Sequence, residues 1–285
     1  MSYDEPMAKH TSWRVGGPAD IYFRPDTVDE LITFLAELPP DTAVTWLGLG
    51  SNLLVRDGGL RGAVIATHKA LSEMERLDTA TVRAEAGVPC AKLAKRCAVW
   101  EIGPAAFFAG IPGTVGGALA MNAGAFGGET WTAVKTVETI DHQGNTRTRK
   151  RDEYDIGYRS ASGPGDEWFL AATFVFEPDS GMNPQAIRKL LARRKESQPI
   201  GVPSCGSVFR NPPGDHAARL IEAAGLKGFA IGGARVSEKH ANFIINEGEA
   251  TAADIEQLIT HVQQRVKSEF RIELVPEVRV VGESA

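Results

Sequence analysis

The spacing of apolar residues changes from segment to segment along the chain, and it predicts the secondary structure. Spacings of three to four residues predict helices over 27–38, 89–99, 184–196, 216–224 and 253–270. Thr27 is an expected N-cap for the first of these helices, which Pro39 ends. Alternating or continuous apolar runs predict strands over 19–23, 44–47, 53–55, 63–66, 82–84, 134–140, 168–176, 243–245 and 273–281.

Helices and strands are mixed in both halves of the chain, which indicates an α+β fold with mixed sheets. The segment 177–184 has the Pro, Gly, Asp and Ser composition of a linker. The chain has 285 residues, enough for about two domains. We therefore expect a domain boundary in this linker.

Two glycine-rich segments are candidates for close contact between the backbone and a ligand. Residues 109–129 contain seven glycines, and residues 48–52 form a second glycine turn with Ser51 and Asn52 as side-chain donors. Glycine costs backbone entropy on folding, so such density indicates sharp turns or close approach to a ligand such as a dinucleotide diphosphate. The candidate cofactor residues are Gly48, Gly50, Ser51, Asn52, Gly110, Ile111, Pro112, Gly113, Thr114, Gly116, Gly117, Asn122 and Gly124.

The glycine pattern excludes two common nucleotide sites. The turn at Gly48 and Gly50 lacks the third glycine of the Rossmann fingerprint, and the chain contains no GxxxxGK[ST] motif of a P-loop. A ligand long enough to contact both glycine segments is more plausibly FAD than a mononucleotide. The alternative interpretation of 109–129 is a glycine-rich surface loop, which its interleaved apolar residues disfavour.

Composition narrows the possible partners. The formal net charge is −5, so nucleic acid is not an expected partner. No run of about 18 apolar residues predicts a membrane span, and the first ten residues lack an apolar signal core, so we expect a cytoplasmic protein. Cys90, Cys97 and Cys205 are too few for a disulfide framework, and the first two are expected to pack as small apolar residues. No His, Cys or acidic cluster has zinc spacing, so no metal is expected.

Three polar positions are candidates for chemistry. Ser207 follows a glycine and precedes Val208; it is either a turn hydroxyl or a functional group beside Arg210 and Asn211, which suit an anionic substrate. Arg159 follows Tyr158 and is either solvated or part of a binding face. Glu277 stands among apolar residues of a predicted strand, where acids are rare, and faces either solvent or a cleft.

Seven motifs together identify a resemblance. In chain order they are HTSWRVGGPAD, GLGSNLLV, AGIPGTVGGALAMNAGA, GYRSA, SCGSVFRNPP, VSEKHANFIIN and PEVRVVGE, spread from about residue 10 to residue 283. Their sequence and order resemble the UDP-N-acetylenolpyruvoylglucosamine reductase family of bacterial peptidoglycan synthesis. Because only a short linker follows Phe176, the chain resembles the shorter, type II form, which lacks a tyrosine loop.

The resemblance implies the following organisation. The FAD-binding region is of the vanillyl-alcohol-oxidase (PCMH-like) type, with residues 1–67 and 68–178 as its two subdomains. Residues 179–285 form an α+β substrate-binding domain whose last strand returns towards the FAD region. FAD is bound non-covalently, NADPH is the hydride donor, and UDP-N-acetylglucosamine enolpyruvate is the substrate.

The resemblance also implies roles for individual residues. The implied catalytic residues are Arg159, Ser207 and Glu277. For the reaction that the resemblance implies, Arg159 can supply a fixed positive charge near the substrate carboxylate, and Ser207 can donate a proton to carbon. Glu277 donates a hydrogen bond to the developing enolate if it is protonated, and opposes its charge if it is ionised. The implied substrate-binding residues are Tyr158, Arg159, Arg210, Asn211, Lys239 and His240.

Three other functions remain open at this point. A flavin oxidase of the same binding fold often tethers FAD covalently, but His68 is not in an evident tethering motif. A serine hydrolase would use Ser207 with His216 or His240, although GxSxG is absent. A non-enzymatic flavin-binding module would bind FAD without consuming NADPH in the presence of the enolpyruvyl substrate.

Overall fold

The structure is a computed structural model that describes residues 1–178 and 181–285. The predicted linker 177–184 includes residues 179 and 180, which lie outside the described residues. The chain forms two compact units. Unit 1 consists of residue 1, residues 23–49 and residues 64–194, and unit 2 consists of residues 2–22, 50–63 and 195–285.

The helices follow the apolar periodicity of the sequence. They are α1 (Val28–Glu37), α2 (Cys90–Val99), α3 (Val115–Ala120), α4 (Pro184–Ser197), α5 (Ala217–Ala223) and α6 (Ala252–Phe270). Short 3-10 helices span Met7–Lys9, Ala106–Gly110, Thr130–Thr132 and Arg151–Glu153. The Thr27 side chain accepts a hydrogen bond from the Glu30 amide, which confirms the predicted N-cap. Within the described residues, no helix is both long and apolar enough to cross a membrane.

The strands are short and mostly antiparallel. They are β1 (Ser2–Pro6), β2 (Pro18–Phe23), β3 (Val44–Leu47), β4 (Leu53–Val55), β5 (Leu60–Ala66), β6 (Met74–Arg76), β7 (Thr81–Glu85), β8 (Gly124–Ala125), β9 (Gly128–Glu129), β10 (Val134–Asp141), β11 (Thr146–Lys150), β12 (Asp155–Gly157), β13 (Ser160–Ser162), β14 (Glu167–Val175), β15 (Ala230–Ile231), β16 (Ala234–Val236), β17 (Ile244–Asn246) and β18 (Arg279–Val281). Together with the helices they confirm the α+β class.

Unit 1 is built on an antiparallel sheet with the strand order β11-β10-β14-β7-β6. Its core is aromatic and contains the buried side chains of Leu93, Phe108, Trp131 and Phe174. The indole N–H of Trp131 donates to the carbonyl of Leu119 in α3 (2.8 Å), so this buried ring also satisfies its polar atom. The glycine-rich segment packs against this core.

The helix α3 was not predicted, because Gly116 and Gly117 lower helix propensity. Burial of Val115, Ala118 and Leu119 in the core of unit 1 overrides that preference. The glycine-rich segment is therefore a short helix followed by the β8–β9 hairpin, rather than one continuous loop.

Unit 2 contains the sheet β15-β16-β17, the helices α5 and α6, and the parallel pair β4 and β18. Its core includes Trp13, whose indole N–H donates to the carbonyl of Ile244 (2.7 Å). The strand predicted over 273–281 is shortened to Arg279–Val281. Pro276 has no N–H for a ladder, so residues 275–277 make only isolated contacts with residues 208–210.

The two compact units of the structure have different boundaries from the predicted domains. Residues 2–22 and 50–63, expected in the first FAD subdomain, group with residues 195–285. The pairing of β4 with β18 explains this grouping, because it ties residues 53–55 to the end of the chain. The boundaries at 67 and 178 stay predictions about function.

The cysteines pack as apolar residues. Cys90 and Cys97 are fully buried in the core of unit 1, and Cys205 is buried in unit 2. Burial raises the pKa of the Cys97 thiol to about 12, and it raises the pKa of Cys90 and Cys205 as well. These thiols therefore stay protonated and unreactive at neutral pH, as the sequence predicted for Cys90 and Cys97.

The N-terminus of α6 carries a testable capping box. The Thr251 hydroxyl accepts from the Asp254 amide (3.0 Å), and the Asp254 carboxylate accepts from the Thr251 amide (2.9 Å). We expect Thr251→Ala to lower the free energy of unfolding by about 1 kcal/mol, whereas Thr251→Ser keeps the cap. Urea denaturation of the two variants measures the difference, and equal midpoints would contradict it.

The same box predicts a pH dependence. The hydrogen bond from the Thr251 amide lowers the pKa of the Asp254 carboxyl. Its stabilising contribution is therefore present above the unfolded-state pKa of about 3.9 and is lost as the pH falls through the lower folded-state value.

Candidate functional site

The two glycine segments meet inside unit 1 at the hydroxyl of Thr114. Thr114 is the N-cap residue of α3 and is buried, yet its Oγ1 has no hydrogen-bond partner among the described residues. A Cβ added to Gly48 would lie 2.4 Å from that oxygen, which leaves no room for a side chain there. Gly48 of the first glycine turn thus packs directly against a buried hydroxyl that has no hydrogen-bond partner among the described residues.

The next two glycines differ in what surrounds them. The amides of Val115 and Gly116 already donate to the carbonyls of Val88 (2.9 Å) and Ala86 (2.8 Å). A Cβ at Gly116 would lie 2.9 Å from the Cβ of Ala86, so packing alone requires a glycine there. By contrast, a Cβ at Gly117 would have Thr114 Oγ1 as its sole neighbour within 4 Å among the described residues, at 3.8 Å.

Other glycines of the segment also serve packing. A Cβ at Gly110 would lie 2.6 Å from both Ala125 and the ring of Phe126, and a Cβ at Gly124 would lie 2.4 Å from the carbonyl of Gly128. The Gly113 carbonyl accepts from the Cys90 amide (2.9 Å). Ile111 is buried and Pro112 is exposed. Only some of the predicted cofactor residues therefore leave space that a ligand could occupy, and they lie around Thr114.

A cofactor with a diphosphate fits this part of unit 1. A phosphate oxygen can accept from the Thr114 hydroxyl, and the missing side chain at Gly117 leaves room for its approach. Thr114 also makes no side-chain capping bond to α3. FAD carries such a diphosphate, and the residues present fit it.

Asn122 is buried, and its side chain is fully engaged by the protein. Its Nδ2 donates to the carboxylate of Glu129 and to the carbonyl of Gly157, both at 3.0 Å, and its Oδ1 accepts from the Trp131 amide at 3.2 Å. Sequence analysis predicted Asn122 as a cofactor residue and did not identify Glu129. The sequence alone cannot show the bond from Asn122 to Gly157, because the two residues are 35 positions apart.

Arg159 lies in the two-residue turn that joins β12 to β13. Its φ of +54° is in the left-handed region that favours glycine. Its Nη2 donates to the Gly124 carbonyl (3.1 Å), and its guanidinium lies over the ring of the exposed Tyr158 (5.0 Å). The structure thus brings together two candidates of the substrate set, Tyr158 and Arg159, with two of the cofactor set, Asn122 and Gly124.

In unit 2, the glycine turn at Gly50 is linked to the candidate acid. Gly50 has a φ of +59°, and a Cβ there would lie 2.0 Å from the His10 carbonyl. The side chain of Asn52 donates to the Glu277 carbonyl (3.0 Å), while the Asn52 carbonyl accepts from the Arg279 amide (3.0 Å). The main chain from the Glu277 carbonyl to the Arg279 amide is therefore fixed to Asn52 of the predicted cofactor turn, where Ser51 is the preceding residue.

Ser207 and Glu277 lie on adjacent stretches of main chain in unit 2. The Glu277 amide donates to the Val208 carbonyl (2.7 Å), and Phe209 forms a β-bridge with Pro276. Both Ser207 and Glu277 are half-buried. Sequence analysis missed Asn242, which holds this stretch from the other side: its side chain exchanges two hydrogen bonds with the main chain of Phe209. A buried amide within the apolar run ANFII was the available signal.

Arg210 and Asn211 follow Ser207 and take different roles. The Arg210 amide donates to the Val275 carbonyl (2.9 Å), and its Nε is buried without a partner among the described residues. The Asn211 Oδ1 accepts from the Ala217 amide (3.1 Å) at the start of α5. Their predicted contacts with substrate stay predictions.

Lys239 and His240 lie on the turn that follows β16. The Lys239 Nζ donates to the Lys195 carbonyl (2.5 Å), in the last turn of α4. His240 packs edge-on against Phe243, and burial lowers the pKa of its imidazole. Its Nδ1 has no hydrogen-bond partner within the described part of the chain. Nor do those residues contain three His, Cys, Asp or Glu side chains grouped to hold a metal ion.

Comparison with known proteins gives these features a family. The family model for an FAD binding domain matches residues 19–149, and the model for the C-terminal domain of UDP-N-acetylenolpyruvoylglucosamine reductase matches residues 198–281. The UDP-N-acetylenolpyruvoylglucosamine reductase of Alkalilimnicola ehrlichii is 57% identical over 98% of this chain and 94% of its own. That of Coxiella burnetii is 54% identical over 99% and 95%.

A solved structure agrees with the sequence comparisons. The crystal structure of the Thermus caldophilus UDP-N-acetylenolpyruvylglucosamine reductase matches with a TM-score of 0.81 and 32% identity, covering 96% of this chain and 97% of that one. Full-length matches at more than half identity confirm the resemblance read from the sequence motifs. The chain belongs to the UDP-N-acetylenolpyruvoylglucosamine reductase family.

Proposed function

We propose that this protein reduces the enolpyruvyl group of UDP-N-acetylglucosamine enolpyruvate to give UDP-N-acetylmuramate, with NADPH as hydride donor and FAD as non-covalent cofactor. Family membership over nearly the whole chain is the observation that carries this proposal. It favours a reductase over a covalent flavin oxidase, a serine hydrolase and a non-enzymatic flavin module. We also propose that it acts in the cytoplasm, where NADPH is the common reductant.

The residues around Thr114 would hold the cofactor. The Thr114 hydroxyl and the open space at Gly117 are the parts of unit 1 that we assign to FAD. FAD, when bound, supplies the hydride chemistry that links NADPH to the enolpyruvyl group. The remaining steps belong to the side chains of this protein.

Arg159 would stabilise the negative charge of the substrate. Hydride addition to the methylene carbon of the enolpyruvyl group leaves negative charge on the carbon that bears the carboxylate. We assign the guanidinium of Arg159 to that carboxylate, because an arginine fixed by its own hydrogen bond to Gly124 offers a preorganised positive charge.

Glu277 and Ser207 complete the reaction. The protonated carboxyl of Glu277 donates a hydrogen bond to the enolate-like oxygen, and the Oγ–H of Ser207 donates its proton to the carbon that carries the carboxylate. Water then returns a proton to Ser207. Their adjacent main chains, joined by the bond from the Glu277 amide to the Val208 carbonyl, support this division of work.

The proton transfer is tested by Ser207→Ala. We expect the variant to keep its FAD and to let NADPH reduce that FAD, yet to lose at least about 10²-fold in kcat, the usual scale for a general acid. Ser204→Ala, three residues earlier on the same stretch, is the matched control and keeps normal turnover. Substrate-dependent loss of NADPH absorbance measures both variants. Near-normal product formation by Ser207→Ala would remove Ser207 from this role.

The cofactor site is tested by a pair of glycine variants. The protein itself has room for a Cβ at Gly117, so Gly117→Ala should leave the stability of the apoprotein unchanged or raise it by up to about 1 kcal/mol. We expect the same variant to weaken FAD binding by about tenfold, because the methyl group occupies ligand space. Gly116→Ala should instead destabilise the protein, because its Cβ meets Ala86.

Two measurements separate these effects. Titration of apoprotein with FAD, followed by flavin fluorescence, gives the Kd, and thermal unfolding gives the stability of each variant. If Gly117→Ala bound FAD as tightly as the wild type, the diphosphate would have to lie away from Gly117.

A further inference from the structure

Arg159 holds a backbone conformation that its surroundings must enforce. Its φ of +54° lies in a region that costs free energy for any residue with a Cβ, and such conformations persist where neighbouring contacts fix them. The turn it occupies is only two residues long, between β12 and β13. The carbonyl at the start of this turn belongs to Gly157, the last residue of β12.

The side chain of Asn122 donates a hydrogen bond to that carbonyl. Its Nδ2 donates to Gly157 at 3.0 Å, and its side chain has little freedom because Glu129 and Trp131 bind its other polar sites. Asn122 is only 1% exposed, so solvent does not compete for these bonds. A rigid amide is therefore fixed to the residue two positions before Arg159.

The segment that contains Asn122 also binds the guanidinium group of Arg159. Its Nη2 donates to the carbonyl of Gly124, two residues after Asn122. A Cβ at Gly124 would lie 3.2 Å from the Nη1 of Arg159, so the guanidinium lies close against this backbone. Residues 122–124 thus contact Arg159 both through its turn and through its charged group.

We propose that Asn122 is a positioning residue for Arg159: its side-chain amide fixes the β12–β13 turn so that the guanidinium is oriented before the substrate binds. Glu129 keeps the amide in the donating orientation by accepting its second hydrogen. This role rests on the proposed function, because it assigns Asn122 to the reduction step. It differs from the role that the sequence indicated, a direct contact with the cofactor.

The test starts with Asn122→Gly and Asn122→Asp. Glycine removes the amide and suits the φ of +44° at this position, so the backbone is not strained. Aspartate keeps the acceptor for the Trp131 amide but loses both donors. We expect both variants to keep FAD and to lose about tenfold or more in kcat for the enolpyruvyl substrate, because a displaced guanidinium stabilises the transition state less.

A double-mutant cycle separates positioning from a general structural effect. Arg159→Ala alone should lower kcat and raise KM together. If Asn122 acts through Arg159, adding Asn122→Gly to Arg159→Ala should change kcat by less than about threefold. Thr130→Val is the matched control, because it removes a buried bond to the Ala123 carbonyl (2.7 Å) in the same segment without touching Gly157 or Gly124. It should keep turnover within about twofold.

The outcomes are distinguishable. Loss of FAD from both Asn122 variants would make Asn122 a cofactor ligand and overturn the proposal. Equal losses from Asn122→Gly in the wild-type and Arg159→Ala backgrounds, or a loss in Thr130→Val as large as that in Asn122→Gly, would also overturn it. If wild-type holoenzyme does not consume NADPH with UDP-N-acetylglucosamine enolpyruvate, the proposed function itself fails, and the positioning role with it.

Discussion

The hydroxyl of Thr114 sets the main constraint on this protein. A buried hydroxyl without a hydrogen bond costs about 1–3 kcal/mol, so a fold that keeps one must gain from it elsewhere. Here the hydroxyl is at the N-terminus of α3, opposite Gly48, where a side chain has no space. The amides of Val115 and Gly116 cannot relieve it, because they are bonded to Val88 and Ala86. We propose that a bound diphosphate is the partner of this hydroxyl.

Main-chain hydrogen bonds hold the segments that carry the catalytic candidates. In unit 2, Glu277 is held by Asn52 on one side and by Val208 on the other. In unit 1, the turn of Arg159 is held by Asn122. In unit 2, a side chain of the glycine turn fixes the backbone of Glu277, and in unit 1 a side chain of the glycine-rich segment fixes the backbone two residues before Arg159. Such fixed backbones keep charged groups oriented before substrate arrives, which is the condition for strong electrostatic stabilisation.

Local pattern predicted most helices but only half of the strands that the described residues form, and two of the exceptions have clear physical causes. The periodicity of α6 and the Thr27 cap of α1 are local properties, and both were predicted correctly. The helix α3 was missed because its glycines hide the periodicity, and the strand over 273–281 was too long because Pro276 interrupts pairing. For the site, motif resemblance supplied Ser207, Arg159 and Glu277. It could not supply the bond from Asn52 to Glu277, which joins residues 225 positions apart. Nor can a sequence distinguish Gly116, which packs against Ala86, from Gly117, which faces open space.

The visible spectrum of the purified protein under anaerobic conditions tests the central claim most directly. The account predicts a yellow flavin band that NADPH bleaches and that UDP-N-acetylglucosamine enolpyruvate then restores, with one UDP-N-acetylmuramate formed for each flavin reoxidised. A band that NADPH does not bleach, or one that stays bleached after the enolpyruvyl sugar nucleotide is added, would contradict it.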